Sequence, residues 1–192
     1  MNCELVLLAA GQAKRFGSDK RFAELPNGKA LWRTSMQIYV DAGLSGHLVV
    51  GENESSKFHK LPEGIQVHEC TQAVDGMSRS LAFGLKQVKA DFALVALADM
   101  PFLRVATVLR LLDAANKRGG VRAIQASYMN KPGHPKVLSR YLFRDLCSLK
   151  GDQGGIAVLK KLPGNQLKSL ELNDPGILSD VDVPSDLFLA TN

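Results

Sequence analysis

Apolar and polar positions follow two rhythms along this chain, and the rhythms take turns. Short, nearly unbroken apolar runs alternate with longer stretches in which apolar residues return every three or four positions. The runs "ELVLLAA" (4–10), "HLVVG" (47–51), "IQVHE" (65–69), "DFALVALADM" (91–100), "RAIQASY" (122–128) and "KSLELND" (168–174) read as strands, the fourth as a central one because it is the most apolar. The stretch 29–43, with Leu31, Met36, Ile38, Tyr39 and Ala42 near helical spacing and Gly43 as a stop, reads as a helix. Helices are likewise predicted over 78–88, where Ser78 or Ser80 can cap, and over 104–120, closed by Gly119-Gly120. Two more are predicted over 139–149 and 154–164. Strand and helix alternating at this spacing imply an α/β fold: a mostly parallel sheet covered on both faces.

Length and composition narrow the class without changing that picture. At 192 residues the chain suits a single domain over 1–192, and 45% hydrophobic, 22% charged and 6% aromatic residues are the proportions of a soluble globular protein. No apolar run reaches the 18 or so residues a membrane helix needs, and Cys3-Glu4 stands where a basic leader segment would be, so a cytoplasmic location without a membrane partner is expected. Cys3, Cys70 and Cys147 are far apart and form no CxxC pair, which argues against a disulfide framework or a structural zinc site. The net charge of +5 is lopsided: Arg104 to Lys168 holds 13 Lys and Arg against 3 Asp and Glu. These cations stand singly with few aromatics between them, unlike a nucleic-acid platform. They suit either an ordinary solvated surface or a small phosphorylated ligand.

In open parallel sheets, ligands bind beyond the carboxyl ends of the strands. Three segments belong there: "AAGQAKRFGSDK", "VDGMSRS" and "ADMP". Gly11 and Gly17 let backbone approach a phosphate closely, while Arg15 offers a fork of donors and Lys20 a point charge. The spacing fits neither GxxxxGK[ST] nor GxGxxG, and a plain surface turn is the competing reading. Asp99 follows the central strand and precedes Met100-Pro101. It can hold a divalent cation beside phosphates, or simply open a turn before proline.

Five motifs, in order, carry a family resemblance over nearly the whole chain. "LLAAGQAKRFGSDK" resembles the LAAGxSxRxGxxK opening of the molybdenum-cofactor nucleotidyltransferases and of their sugar-phosphate and terpenoid kin. "DGMSRSLAFGL" is similar to their GMSxSLxxGL stretch, and "ALADMPFL" to their metal-binding turn. "KPGHPKVLSRYLFRDLCSLKGDQGGIAVL" resembles the long GHP-to-GD segment of the molybdopterin cytidylyltransferase branch, and "LSDVDVPSDL" the closing DIDTPEDL.

The resemblance implies a three-layer Rossmann-like fold, with nucleotide bound by the N-terminal part and acceptor by the C-terminal part. It implies that Arg15, Lys20 and Asp99 are catalytic. Leu8, Ala9, Ala10, Gly11, Arg15, Lys20, Gly76, Met77 and Ser78 would bind nucleotide. Asp99, with Asp182 or its neighbour Asp180, would hold Mg²⁺ or Mn²⁺. Gly133, His134 and Pro135 would face the acceptor, His134 having the alternative of an imidazole that caps loop backbone. The implied reaction is attack of an acceptor phosphate on the α-phosphorus of CTP, with release of pyrophosphate and catalysis by positioning and charge neutralisation. Molybdopterin is the implied acceptor and a molybdoenzyme the eventual recipient. Another phosphorylated acceptor, such as a sugar or polyol phosphate, and a non-catalytic molybdopterin carrier are the alternatives. The chain departs from the pattern at Ala13, where the family commonly has Ser, and at Gly155-Ile156, where an Arg is usual.

Overall fold

A computed structural model describes residues 2–11, 16–117, 120–149 and 155–191. Their backbone builds a seven-stranded sheet: β1 (Cys3–Leu8), β2 (Gly46–Gly51), β3 (Ile65–Cys70), β4 (Phe92–Leu97), β5 (Ala123–Tyr128), β6 (Lys131–Ser139) and β7 (Leu167–Glu171), in the order β3-β2-β1-β4-β6-β5-β7. All neighbouring pairs are parallel except those made by β6, which runs antiparallel to both β4 and β5. The helices are α1 (Leu31–Asp41), α2 (Met77–Gln87), α3 (Val105–Asn116), α4 (Phe143–Cys147) and α5 (Ile156–Leu159). None among the described residues is long and apolar enough to cross a membrane.

Side-chain alternation along the strands divides the core in two. Leu5 and Leu7 face the layer of α1 and α3, where Trp32, Met36, Tyr39, Val108 and Leu111 pack. Val6 and Leu8 face the layer of α2, α4 and α5, with Leu81, Leu85, Leu146 and Leu159. β1 and β4 are buried on both faces, which is why they read as unbroken apolar runs. Each fully buried Leu of this kind contributes about 1.5–3 kcal/mol.

The structure corrects the sequence reading in three places. Residues 131–139, which carry the acceptor motif and are not among the predicted strands, form a strand that inserts between β4 and β5. The helix expected over 139–149 is a 3-10 turn at Arg140–Leu142, capped by Ser139, followed by the short α4. Neither Ser78 nor Ser80 caps α2: both lie inside it and are buried, and the cap position is Gly76. At φ 116°, Gly76 holds a backbone conformation that other residues adopt only with strain.

Candidate active site

The carboxyl ends of β1 and β4 lie side by side, with Leu8 opposite Leu97. The pairing continues one step past the strands, where the Ala98 N–H donates to Leu8 O. The C-terminal segment then joins the same edge: the Val181 N–H donates to Asp99 O at 2.9 Å. Residues from four distant parts of the chain thus meet around a cleft of about 340 Å³.

Of the residues singled out from sequence, Leu8, Ala9, Ala10, Gly11, Lys20, Gly76, Met77 and Asp99 line this cleft. Ser78 does not: it is fully buried within α2, and Ser80, two residues on, faces the cleft instead. Arg15 lies outside the described residues, as do the Gly151-Asp152 of the long C-terminal motif. The first turn of α2 opens on the cleft without a side-chain cap, so its dipole and backbone N–H groups favour an anion there.

Lys20 is the hub. Its Nζ sits 2.9 Å from Asp99 Oδ2 and 3.2 Å from Asp182 Oδ1, and donates to Val181 O at 2.6 Å. Its side chain is 14% exposed; burial works against its charge, but the nearby Asp99 and Asp182 carboxylates outweigh that and raise its pKa. Asp180 is exposed, and it is Asp182 whose carboxylate reaches Lys20.

Two carboxylates on this edge, Asp99 and Asp182, bear on whether a divalent cation fits. Asp99 Oδ1 is buried and has no hydrogen-bond partner among the described residues, which leaves one strong acceptor unspent at the cleft floor. Asp182 is 40% exposed, on the solvent side of Lys20. Among the described residues no group of three or more His, Cys, Asp and Glu makes a closed metal cage. Two oxygen donors with open positions suit a hard ion such as Mg²⁺ or Mn²⁺, which fills its shell with phosphate oxygens and water. The residues fit the cation.

One residue escaped sequence reading. Arg21 is 8% exposed and anchors the loop beneath the cleft. It donates to Ala9 O, to both oxygens of Asp19 and to both oxygens of Glu54, five contacts of 2.6–2.7 Å. Hydrogen bonding to Arg21 holds the Glu54 carboxyl down at about 2. Arg21 directly follows Lys20, nothing in the local pattern marks it as buried, and its partner Glu54 is 33 residues away. The Asp on its N-terminal side was the available signal, since Asp19 both caps the 3-10 turn Lys20–Phe22 and pairs with Arg21.

The GHP residues divide between two faces. Gly133 lies against Ile177 O so closely that a Cβ would collide with it, so its role is to let the 3-10 turn Pro175–Leu178 pack on β6. Pro135 is buried. His134 and Lys136 point to the opposite face, shared with Leu8, Val95 and α2. Lys136 Nζ lies 3.0 Å from His134 Nε2, and His134 Nδ1 is sealed from solvent. Burial, and then the Lys136 charge, push the imidazole down to about 3, so it is neutral. His134 therefore does not cap loop backbone; its ring belongs to a strand and meets Lys136.

Residues 5–167 match the MobA-like NTP transferase domain family. The chain belongs to that family and is a nucleotidyltransferase. Among characterised proteins it is 28% identical to the purine catabolism protein PucB of Bacillus subtilis, over 94% of this chain and 92% of that one. It is 28% identical to a probable molybdenum cofactor guanylyltransferase of Nostoc, over 97% and 89%. A 2-C-methyl-D-erythritol 4-phosphate cytidylyltransferase of Geobacillus thermodenitrificans is 32% identical over 62% of this chain and 55% of its own length. The fold is that of Rv0371c from Mycobacterium tuberculosis, which aligns with a TM-score of 0.80 at 22% identity over 99% and 98% of the two chains.

Proposed function

We propose that this nucleotidyltransferase transfers CMP from CTP to the phosphate of molybdopterin and releases pyrophosphate. One observation carries the reading more than any other: Lys20 joins Asp99 and Asp182 at the floor of a cleft whose walls are the β1 loop and the open first turn of α2. That arrangement sets cation-binding carboxylates beside a phosphate-binding backbone. Asp99 and Asp182 are the residues that would hold Mg²⁺ or Mn²⁺; a neighbour of the same fold, 23% identical, was solved with manganese. Such an ion neutralises charge on the triphosphate and on the departing pyrophosphate. The acceptor phosphate oxygen forms the new bond to the α-phosphorus while the bond to the bridging oxygen of the β-phosphate breaks and its electron pair leaves with pyrophosphate. Lys20, and Arg15 from the same loop, stabilise the charge that builds on the departing group. Gly11 and the first turn of α2 orient the triphosphate by backbone N–H groups.

The choice of base rests on Ala10, which lines the cleft. It takes space where the strand end meets the base, so a pyrimidine fits more easily than a purine. The acceptor rests on the resemblance of residues 131–159 to the cytidylyltransferase branch of molybdenum-cofactor enzymes. The Geobacillus relative, a cytidylyltransferase named for a small polyol phosphate, supports an acceptor of that second kind. The deciding experiment measures pyrophosphate release with each of the four NTPs against molybdopterin and a panel of sugar and polyol phosphates. CTP with molybdopterin is expected to lead; a larger kcat/KM with GTP or with a polyol phosphate overturns the corresponding half of the reading.

A further inference from the structure

Lys136 is a cation in an unusual position. It stands in the middle of the sheet, paired with Val95 of β4 on one side and Gln125 of β5 on the other, and is half-buried. Among the described residues no carboxylate lies within ion-pair distance of its Nζ; its polar neighbour is the neutral His134 imidazole at 3.0 Å. Burial alone pushes the ammonium down to about 8. A neutral imidazole accepts a hydrogen bond and fixes a direction, but it does not neutralise charge. An interior cation without a counter-charge is costly, so its retention is best explained by an anion that arrives from outside.

The surroundings suggest what that anion belongs to. Residues paired directly across a sheet project to the same face, so Lys136, Val95 and Gln125 share one. That face is also the face of Leu8 and Leu97, which line the nucleotide cleft. Moving outward from Lys136, the same face is polar where a core would be apolar. The Gln125 Nε2 donates to Ser169 Oγ at 2.7 Å, and one step nearer the cleft edge the Ser127 Oγ donates to Glu171 Oε2 at 2.7 Å. A polar row thus runs across β6, β5 and β7 on the sheet face that, at β1 and β4, carries Leu8 and Leu97.

We propose that Lys136 binds the phosphate of the acceptor, a phosphate monoester lying over β6 and β5, and that His134 is the positioning residue that aims the Lys136 ammonium at it. The inference rests on the nucleotidyltransferase reading of the adjoining cleft and adds where, and by which charge, the second substrate is held. It also reassigns the GHP segment: Gly133 and Pro135 serve packing, and His134 acts through Lys136.

The test uses the full chain with saturating magnesium and α,β-methylene-CTP, and titrates glycerol 3-phosphate as the probe, followed by ³¹P chemical shift. The wild type is expected to bind the probe, and Lys136→Met to bind it about 10- to 100-fold more weakly, the scale of one charge-assisted hydrogen bond. Lys136→Arg keeps a cation and is expected to recover most of the loss, which a merely structural role for Lys136 does not predict. His134→Gln keeps an acceptor for the ammonium and is expected to stay within a few-fold of wild type, whereas His134→Leu weakens probe binding. Affinity for the CTP analogue stays unchanged in all four. Equal probe binding by wild type and Lys136→Met, or no probe binding by a wild type that holds the analogue, overturns the inference. A wild type that does not bind the analogue overturns the nucleotide reading beneath it.

Discussion

Two lysines stand on either side of β4 and meet burial in opposite ways. Lys20, next to the end of β1, is pulled toward the charged form by two carboxylates. Lys136, on β6, is pushed toward the neutral form down to about 8. Both are partly withdrawn from water, and desolvation disfavours both charges. What differs is the source of the counter-charge. At the β1 side the chain supplies its own anions, from residues 19, 54, 99 and 182. At the β6 side the described residues supply none. A region that carries its own anions has its cations paired before any ligand arrives, which suits the metal-bound triphosphate proposed for it. A region that does not is suited to a substrate that brings the charge with it.

The contrast can be broken at several points. The largest effect is expected from Asp99→Asn, which removes the cleft-floor carboxylate and should lower transfer about 10³-fold, the rate equivalent of several kcal/mol of lost charge stabilisation. Wild-type turnover of the purified variant with Mg²⁺, read as pyrophosphate release, would remove Asp99 from the chemistry. Next in size is the pH response of Glu54. Its folded pKa is depressed to about 2 from an ordinary 4.5, so its contribution is present above pH 4.5 and is lost as pH falls toward 2. Glu54→Gln should therefore be less stable than wild type at pH 7 in urea unfolding, with the gap closing between pH 5 and 2; a gap independent of pH would assign Glu54 a packing role only.

Lys20→Ala comes third. It should weaken CTP binding by about 1.5–3 kcal/mol, as the loss of a charged hydrogen-bond partner does. Calorimetric titration showing equal CTP affinity would dissolve the contrast, since the better-partnered lysine would then have no ligand. The smallest effect belongs to Ala10→Gly, which should narrow the preference for CTP over GTP roughly 10-fold in kcat/KM, the scale of one methyl group. A wild-type ratio near or below one would leave Ala10 as the last packed residue of the strand and no more.

The β1 side was far more legible in the sequence than the β6 side, for a physical reason. Buried parallel strands are continuous apolar runs, and the residues beyond their ends are contiguous, so Ala10, Gly11, Lys20 and Asp99 could be placed on one edge before any coordinates. β6 hides itself. Its segment "KPGHPKVLS" carries two prolines, a glycine and a histidine, all of which argue for a loop. Its strand character comes from partners on both sides, β4 and β5, which no local pattern reports. Arg21 and the misassigned Ser78 fail for related reasons. The helical phase that turns Ser80 rather than Ser78 to the cleft depends on where α2 begins, and Gly76, not either serine, decides that. The preference for Asp182 over Asp180 depends on a single contact 162 residues distant in sequence.

That contact has a consequence for how the protein comes to life on the ribosome. Lys20 emerges before Asp99, and Asp99 before Val181 and Asp182. Until the Val181 segment docks through its N–H on Asp99 O, the nascent chain has Lys20 and only one of the two carboxylates that meet it. Closing so long a loop is entropically slow to happen and comes after the local contacts. A translating intermediate therefore carries Lys20 with half of its counter-charge. The proposed site is completed in one step, when the Val181 segment is stitched to the end of β4.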